Sequence, residues 1–157
     1  MTLEPRRARA EDIPRIEALI TGEHLPAYGL DEFLGTFFVL ADEEHIVGCA
    51  GLEVYGEAAL LRSVVVAPER RRRDEGRRLV EAALAEARRR GVARVYLFTM
   101  NAGAFFGRLG FRDVRRRTSR RRCGRPASTR RSRGCRTCAP ASRRWRWSCS
   151  AGPRDAR

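Results

Sequence analysis

Apolar residues change their spacing several times along the first 114 positions. Ile13, Ile16, Leu19 and Ile20 recur three and four apart, which puts them on one face of a helix. Glu11 and Asp12 precede that run and Pro14 falls in its first turn, both favourable at a helix N-terminus. A second amphipathic helix spans Gly76–Arg90, with Leu79, Val80, Ala83, Leu84 and Ala87 on one face and Gly91 at the C-terminal cap. Between the helices, Phe37–Ala41, His45–Tyr55 and Ala58–Val66 read as strands. The turns Asp42-Glu43-Glu44 and Gly56-Glu57 separate them. The third strand ends in the β-branched run Val64-Val65-Val66 and Pro68 stops it. Shorter runs predict strands at Thr2–Ala8, Val92–Thr99 and from Gly110 to Val114, and short helices at Gly29–Leu34 and Ala102–Arg108. Strands dominate early and helices cover the sheet, so the class is α+β.

Composition adds a second region. The chain has 157 residues and a formal charge of +14, and all 33 of its basic residues are Arg. Residues 1–114 hold 17 Arg against 18 acidic residues, whereas residues 115–157 hold 16 Arg against Asp155 alone. The folded domain is therefore expected at 1–114, with an Arg-rich low-complexity tail at 115–157. The tail contains no Val, Ile, Leu, Met, Phe or Tyr. Without such residues it cannot bury enough surface to offset its ordering entropy, so it is expected to be disordered. No apolar run approaches the ~18 residues a spanning helix needs, which excludes a membrane protein of that kind. Met1–Ile13 is polar with charges of both signs and does not read as a signal peptide.

The tail admits three readings. As a nucleic-acid arm it would bind phosphates without sequence preference and with strong salt dependence. As a metal site it offers Cys135-Arg-Thr-Cys138, but no second pair at zinc-finger spacing and no His. As out-of-frame translation of a GC-rich gene, it regains apolar residues on back-translation. Thr118 to Ser132 then become compatible with Asp-Val-Pro-Ala-Ala-Leu-Arg-Ala-Ser-Arg-Glu-Tyr followed by two small residues and Leu, and Ala139 to Cys149 with Cys-Pro-Gly-Val-Ser-Ala-Met-Ala-Val-Glu-Leu. The out-of-frame reading is the leading one, and the body at −1 carries no overall signal for nucleic acid.

The chemistry concentrates where the Val64-Val65-Val66 strand feeds Ala67-Pro68-Glu69-Arg70-Arg71-Arg72-Arg73-Asp74-Glu75-Gly76-Arg77-Arg78-Leu79. A basic loop that opens a helix offers backbone N–H groups and a helix N-terminus to a pyrophosphate. The stretch resembles the acetyl-CoA-binding motif of the GCN5-related N-acetyltransferase (GNAT) superfamily, Arg/Gln-x-x-Gly-x-Gly/Ala. Downstream, Asn101-Ala-Gly-Ala-Phe-Phe-Gly-Arg-Leu-Gly-Phe111 resembles that superfamily's short helix followed by Gly-Phe. Gly51–Gly56, Ala59–Ser63 and Tyr96–Thr99 look most like the bacterial arsenic-resistance N-acetyltransferase branch, and the back-translated tail resembles its ending.

The resemblance implies a mixed, mostly antiparallel sheet flanked by helices. It also implies acetyl transfer from acetyl-CoA, without a metal, to the amine of a small, amino-acid-like toxic molecule, and it admits a homodimer. By the same resemblance Val64, Val65 and Val66 lie beside the pantetheine arm. Arg71, Arg72, Arg73 and the amides near Gly76 and Arg77 take the pyrophosphate, and Asn101 stands near the pantetheine. Glu53 is the candidate base, with an exposed strand carboxylate as its bland alternative. Arg62 is a candidate anchor for an anionic substrate group, with a salt bridge to Glu53 or Glu57 as its alternative. Arg72 and Asp74 stand where the family pattern has Gly, which predicts weaker CoA binding or an impaired enzyme. Phe106 stands where many members carry the Tyr that protonates the leaving thiolate. His24 and His45 read as surface residues and Cys49 as a small core residue. No paired Cys occurs in the body, so the compartment reads as reducing and cytoplasmic. The missing native C-terminus is expected to leave Val92–Thr99 with a bare edge.

Overall fold

The strand-forming runs of the body pair largely in chain order. A computed structural model of the chain describes residues 3–42, 45–71, 73–114 and 143–148. Its strands are β1 (Arg6–Arg7), β2 (Phe37–Asp42), β3 (His45–Tyr55), β4 (Ala58–Val66), β5 (Arg94–Thr99), β6 (Arg112–Asp113) and β7 (Arg143–Ser148). They form one sheet in the order β1-β2-β3-β4-β5-β7-β6. Only β4 and β5 run parallel. Parallel neighbours need a long crossover, and α3 (Glu75–Arg89) supplies it. The other helices are α1 (Ile13–Gly22), α2 (Leu30–Phe33) and α4 (Gly103–Arg108).

Period-two alternation along the strands divides the apolar residues between two cores. Phe38, Leu40, Ala50, Leu52, Leu61, Val95 and Leu97 pack with Leu79, Val80, Ala83 and Ala87 of α3. On the opposite face Phe37, Val39, Cys49 and Val65 meet Ile16, Ile20 and Leu30 from α1 and α2. Gly51 lies against Phe37 so closely that a Cβ there would sit 2.2 Å from the ring.

Several elements differ from their predicted extent. β1 shrinks to two residues beside Pro5, which has no N–H to give a ladder. β5 begins at Arg94 because the preceding residues close α3. Gly91 adopts φ 74°, Val92 N–H bonds Ala87 O at 2.9 Å, and Ala93 N–H bonds Glu57 O at 2.8 Å. The last predicted strand contracts to Arg112–Asp113.

The bare edge expected at Val92–Thr99 is corrected. β7, from within the tail, pairs antiparallel with β5 from Arg94↔Ser148 to Thr99↔Arg143, and β6 then pairs with β7. The tail lacks aliphatic residues, but Arg144-Trp145-Arg146-Trp147 alternates an aromatic strand former with a charged residue. Trp145 packs over α4, where its ring approaches Gly103 and Gly107. The remaining tail, with the predicted disorder and the Cys135/Cys138 pair, lies outside the described residues.

Candidate active site

β4 and β5 hold together over a short distance. Their register runs from Ala58↔Arg94 to Leu61↔Leu97 and stops, while β4 continues to Val66. Beyond Leu61, the side of β4 toward β5 has no strand partner among the described residues. On its other side β4 pairs with β3 through Gly51↔Arg62 and Cys49↔Val65, so Ser63 and Val64 together oppose Ala50. That is a β-bulge, and Ser63 carries its strain at φ 52°. β4 carries this bulge on the stretch where its pairing with β5 has ended, which leaves a cleft beside the strand.

The cleft leads to the N-terminus of α3. A cavity of about 450 Å³ is lined by Val64 and Val66 of β4, by Arg71, Gly76 and Arg77, and by Phe105 of α4. The first amides of α3 have no partner within the helix, because its hydrogen bonds begin with Arg78 N–H to Asp74 O at 3.1 Å. Their partial positive charge faces an anion arriving from the cleft. A Cβ added at Gly76 would stand in ordinary contact, 3.5 Å from Phe105 and 3.6 Å from Val66, so this wall of the cavity is formed by Gly76, Phe105 and Val66 together. Asp74, at the N-cap, is held at φ 60°, in the left-handed region that suits Gly. Its side chain caps nothing.

The basic residues of the loop differ in their freedom. Arg71 is exposed, yet its Nε donates to Val66 O at 3.0 Å and its Nη2 meets Glu23 at 2.6 Å. Arg77 is exposed and pairs with Glu81 at 2.7 Å, which raises its pKa. Arg73 is exposed, and Arg72 lies outside the described residues. Asn101 is exposed just before α4. Phe106 is buried in edge-to-face contact with Phe105 and Phe111, and it too lines the cavity.

Glu53 and Arg62 are brought together on the other face of the sheet. Glu53 is only 8 % exposed. It accepts from Arg62 Nη1 and, at 2.7 Å, from the Tyr55 hydroxyl. That bond to a carboxylate raises the pKa of the exposed Tyr55 hydroxyl. Arg62 Nη2 donates to Pro26 O at 3.2 Å and Tyr28 O at 2.9 Å, in the segment between α1 and α2. Glu53 is therefore not a free strand carboxylate, and Arg62 already holds one. Beside them Tyr55, Leu60, Tyr96 and Phe98 line a second, apolar cavity of about 340 Å³.

Sequence reasoning missed Tyr55, Arg70, Glu75 and Phe105. Glu75 had a signal: it lies four residues before Leu79, on the apolar face of α3. Cys49 is buried, its thiol pKa pushed up to about 12 by burial. His24 and His45 are exposed. Among the described residues no group of His, Cys, Asp and Glu could hold a metal ion, and no helix is long and apolar enough to cross a membrane.

Known proteins share this fold. The model of the acetyltransferase (GNAT) domain matches residues 34–113. An uncharacterized N-acetyltransferase of Chlorobaculum tepidum is 33% identical over 114 residues, covering 69% of this chain and 73% of that protein. The amino-acid acetyltransferase of Neisseria meningitidis is 28% identical over 118 residues. That match covers 69% of this chain but only 27% of the longer protein. Among solved structures, Rv2747 from Mycobacterium tuberculosis in complex with CoA superposes with a TM-score of 0.64 at 28% identity, over 71% of this chain and 72% of that one. N-acetylglutamate synthase from Neisseria gonorrhoeae, complexed with coenzyme A and L-arginine, gives 0.64 at 26% identity, over 72% of this chain and 28% of that one. A domain match over half the chain, with relatives that carry the same fold around coenzyme A, places this chain in the GNAT family as an acetyl-CoA-dependent N-acetyltransferase.

Proposed function

We propose that the protein acetylates the amine of a small amino-acid-like molecule, of the kind handled by arsenic-resistance N-acetyltransferases. The observation that carries this reading is the end of the β4–β5 pairing after Leu61, beside the cavity at the α3 N-terminus. The backbone of Val64, Val65 and Val66 would lie along the pantetheine arm, beside Asn101. The α3 amides at Gly76 and Arg77, with Arg71, Arg72 and Arg73, would meet the pyrophosphate. The amine nitrogen attacks the thioester carbonyl, the C–N bond forms, the C–S bond breaks, and the CoA thiolate leaves and takes a proton. Glu53 would take the amine proton, directly or through water. Phe106 has no hydroxyl, so the thiolate proton would come from water. A substrate carboxylate or arsenic oxyacid would compete with Glu53 for Arg62. The amino-acid class is supported by two relatives named for amino-acid acetylation and N-acetylglutamate synthesis.

A second reading, a catalytically impaired acetyltransferase fold, is favoured by Asp74 in a left-handed conformation at the donor loop. The out-of-frame origin of the tail belongs to the same proposal, and the nucleotide sequence tests it through a one-base slip near Arg115–Arg117. Thiol release from acetyl-CoA, measured with glutamate, other amino acids and amino-acid arsenicals on this chain and on a frame-corrected one, separates the readings. Amine-dependent release by this chain supports the enzyme. Release by the corrected chain alone supports the impaired reading.

A further inference from the structure

The loop between β4 and α3 is closed by a buried charge pair. Glu75, the first residue of α3, is 2 % exposed, and the Arg70 side chain is 15 % exposed. Arg70 meets Glu75 Oε1 through Nη2 at 2.8 Å and Nε at 3.1 Å, and its Nη1 meets Asp42 at 3.2 Å. Each of its three nitrogens thus donates to a carboxylate. Residues 71–74 span the gap between the two partners. The loop is also tied at its base, where Ala67 N–H bonds Val47 O at 2.8 Å and Arg70 N–H bonds Ala67 O at 2.9 Å. Arg70 and Glu75 both line the 450 Å³ cavity.

A buried ion pair is a poor source of stability, because desolvation offsets most of the attraction, and an apolar pair of similar volume serves as well. What the planar guanidinium adds is direction, since its fork fixes the carboxylate in one geometry. Resting on the cavity at the α3 N-terminus being the donor site, we infer that Arg70 and Glu75, braced by Asp42, are positioning residues for acetyl-CoA. They set the loop so that the first α3 amides point into the cavity. Glu75→Gln leaves a buried guanidinium half-paired and lets the loop move, and a displacement of about 1 Å can cost up to ~100-fold.

The test is calorimetric titration of CoA into the full chain and its variants, each below its own unfolding temperature, together with KM values for both substrates. Glu75→Gln should weaken CoA binding about ten-fold and raise KM for acetyl-CoA, leaving KM for the amine within about two-fold. Asp42→Asn, on the more exposed partner, should weaken it about two-fold. Arg70→Met/Glu75→Leu, which removes both charges together, should recover thermal stability but not CoA affinity. Two outcomes overturn the inference: Glu75→Gln binding CoA as the unaltered chain does, or the double variant doing so. Should Glu75→Gln not fold, the double variant alone decides, and CoA affinity equal to that of the unaltered chain has the same force. Failure of the unaltered chain to bind CoA would instead remove the donor-site reading.

Discussion

Asp74 combines two defects at one residue. Its φ of 60° costs about 1–2 kcal/mol relative to Gly, and its carboxylate stands at the helix N-terminus where a pyrophosphate is expected. Asp74→Gly is expected to tighten CoA binding roughly five-fold, since a like-charge contact near a protein surface is worth about 1 kcal/mol or more. It is also expected to raise Tm by a few degrees. Titration calorimetry and a thermal scan check both, and equal affinities would clear Asp74 of any role in donor binding. Glu53 offers a sharper kinetic signature. Glu53→Gln should lower kcat roughly 100-fold while KM for acetyl-CoA holds, the usual scale for loss of a general base. A variant that only melts earlier would reduce Glu53 to a structural partner of Arg62 and Tyr55.

At the scale of elements, the docking of β7 rests on a close fit to α4. A Cβ at Gly103 would come within 2.7 Å of the Trp145 ring, so Gly103→Ala forces either α4 or the indole to move. Overpacking of this kind costs about 1–3 kcal/mol. The chain's two Trp, Trp145 and Trp147, both belong to β7, so tryptophan emission reports this one strand. Gly103→Ala should shift that emission to the red and increase its quenching by iodide. Unchanged emission would mean that β7 stays docked without the Gly103 contact. The Trp145 Nε1 is buried without a hydrogen-bond partner among the described residues, and what those residues show holding the strand is its ladder and ring packing.

Two features belong to the whole molecule. Glu86 is buried under Arg7, Arg89 and Arg90 and thereby ties α3 to β1. Arg89 above all, against the opposing cost of burial, holds its carboxyl down to about 2, below the ordinary 4.5. Its folded pKa is the lower one, so its stabilisation is full above about pH 4.5 and drains away as pH falls toward 2. Urea unfolding at pH 7 and pH 3 should therefore show Glu86→Gln destabilised by about 1–3 kcal/mol at pH 7 and much less at pH 3. An equal deficit at both values would assign the loss to packing. The second feature is the tail, which carries the whole net positive excess and also the strand beside β5. A chain lacking residues 115–157 should lose heparin retention and, with β5 uncovered, associate through that edge. Light scattering that finds it as dispersed as the full chain would show the β5 edge protected by other means.

Local pattern was enough for the elements of the body. Ile13, Ile16 and Ile20 announced α1, Leu79 to Ala87 announced α3, and alternation announced β2 to β4, because helix and strand periods are properties of the chain itself. The sequence by itself also determined that the charge excess lies outside the body, and that Arg72 and Asp74 occupy positions where Gly would be expected. Contacts between distant residues were decided only in three dimensions. The parting of β4 from β5, the bulge at Ser63, the Glu53–Arg62 pair and the Arg70–Glu75 clamp each depend on register or on burial, which no local period encodes. β7 shows the limit most directly. Arg143–Ser148 has no core of its own to bury, and it becomes a strand because β5 presents an unpaired edge and α4 presents Gly103 to Trp145.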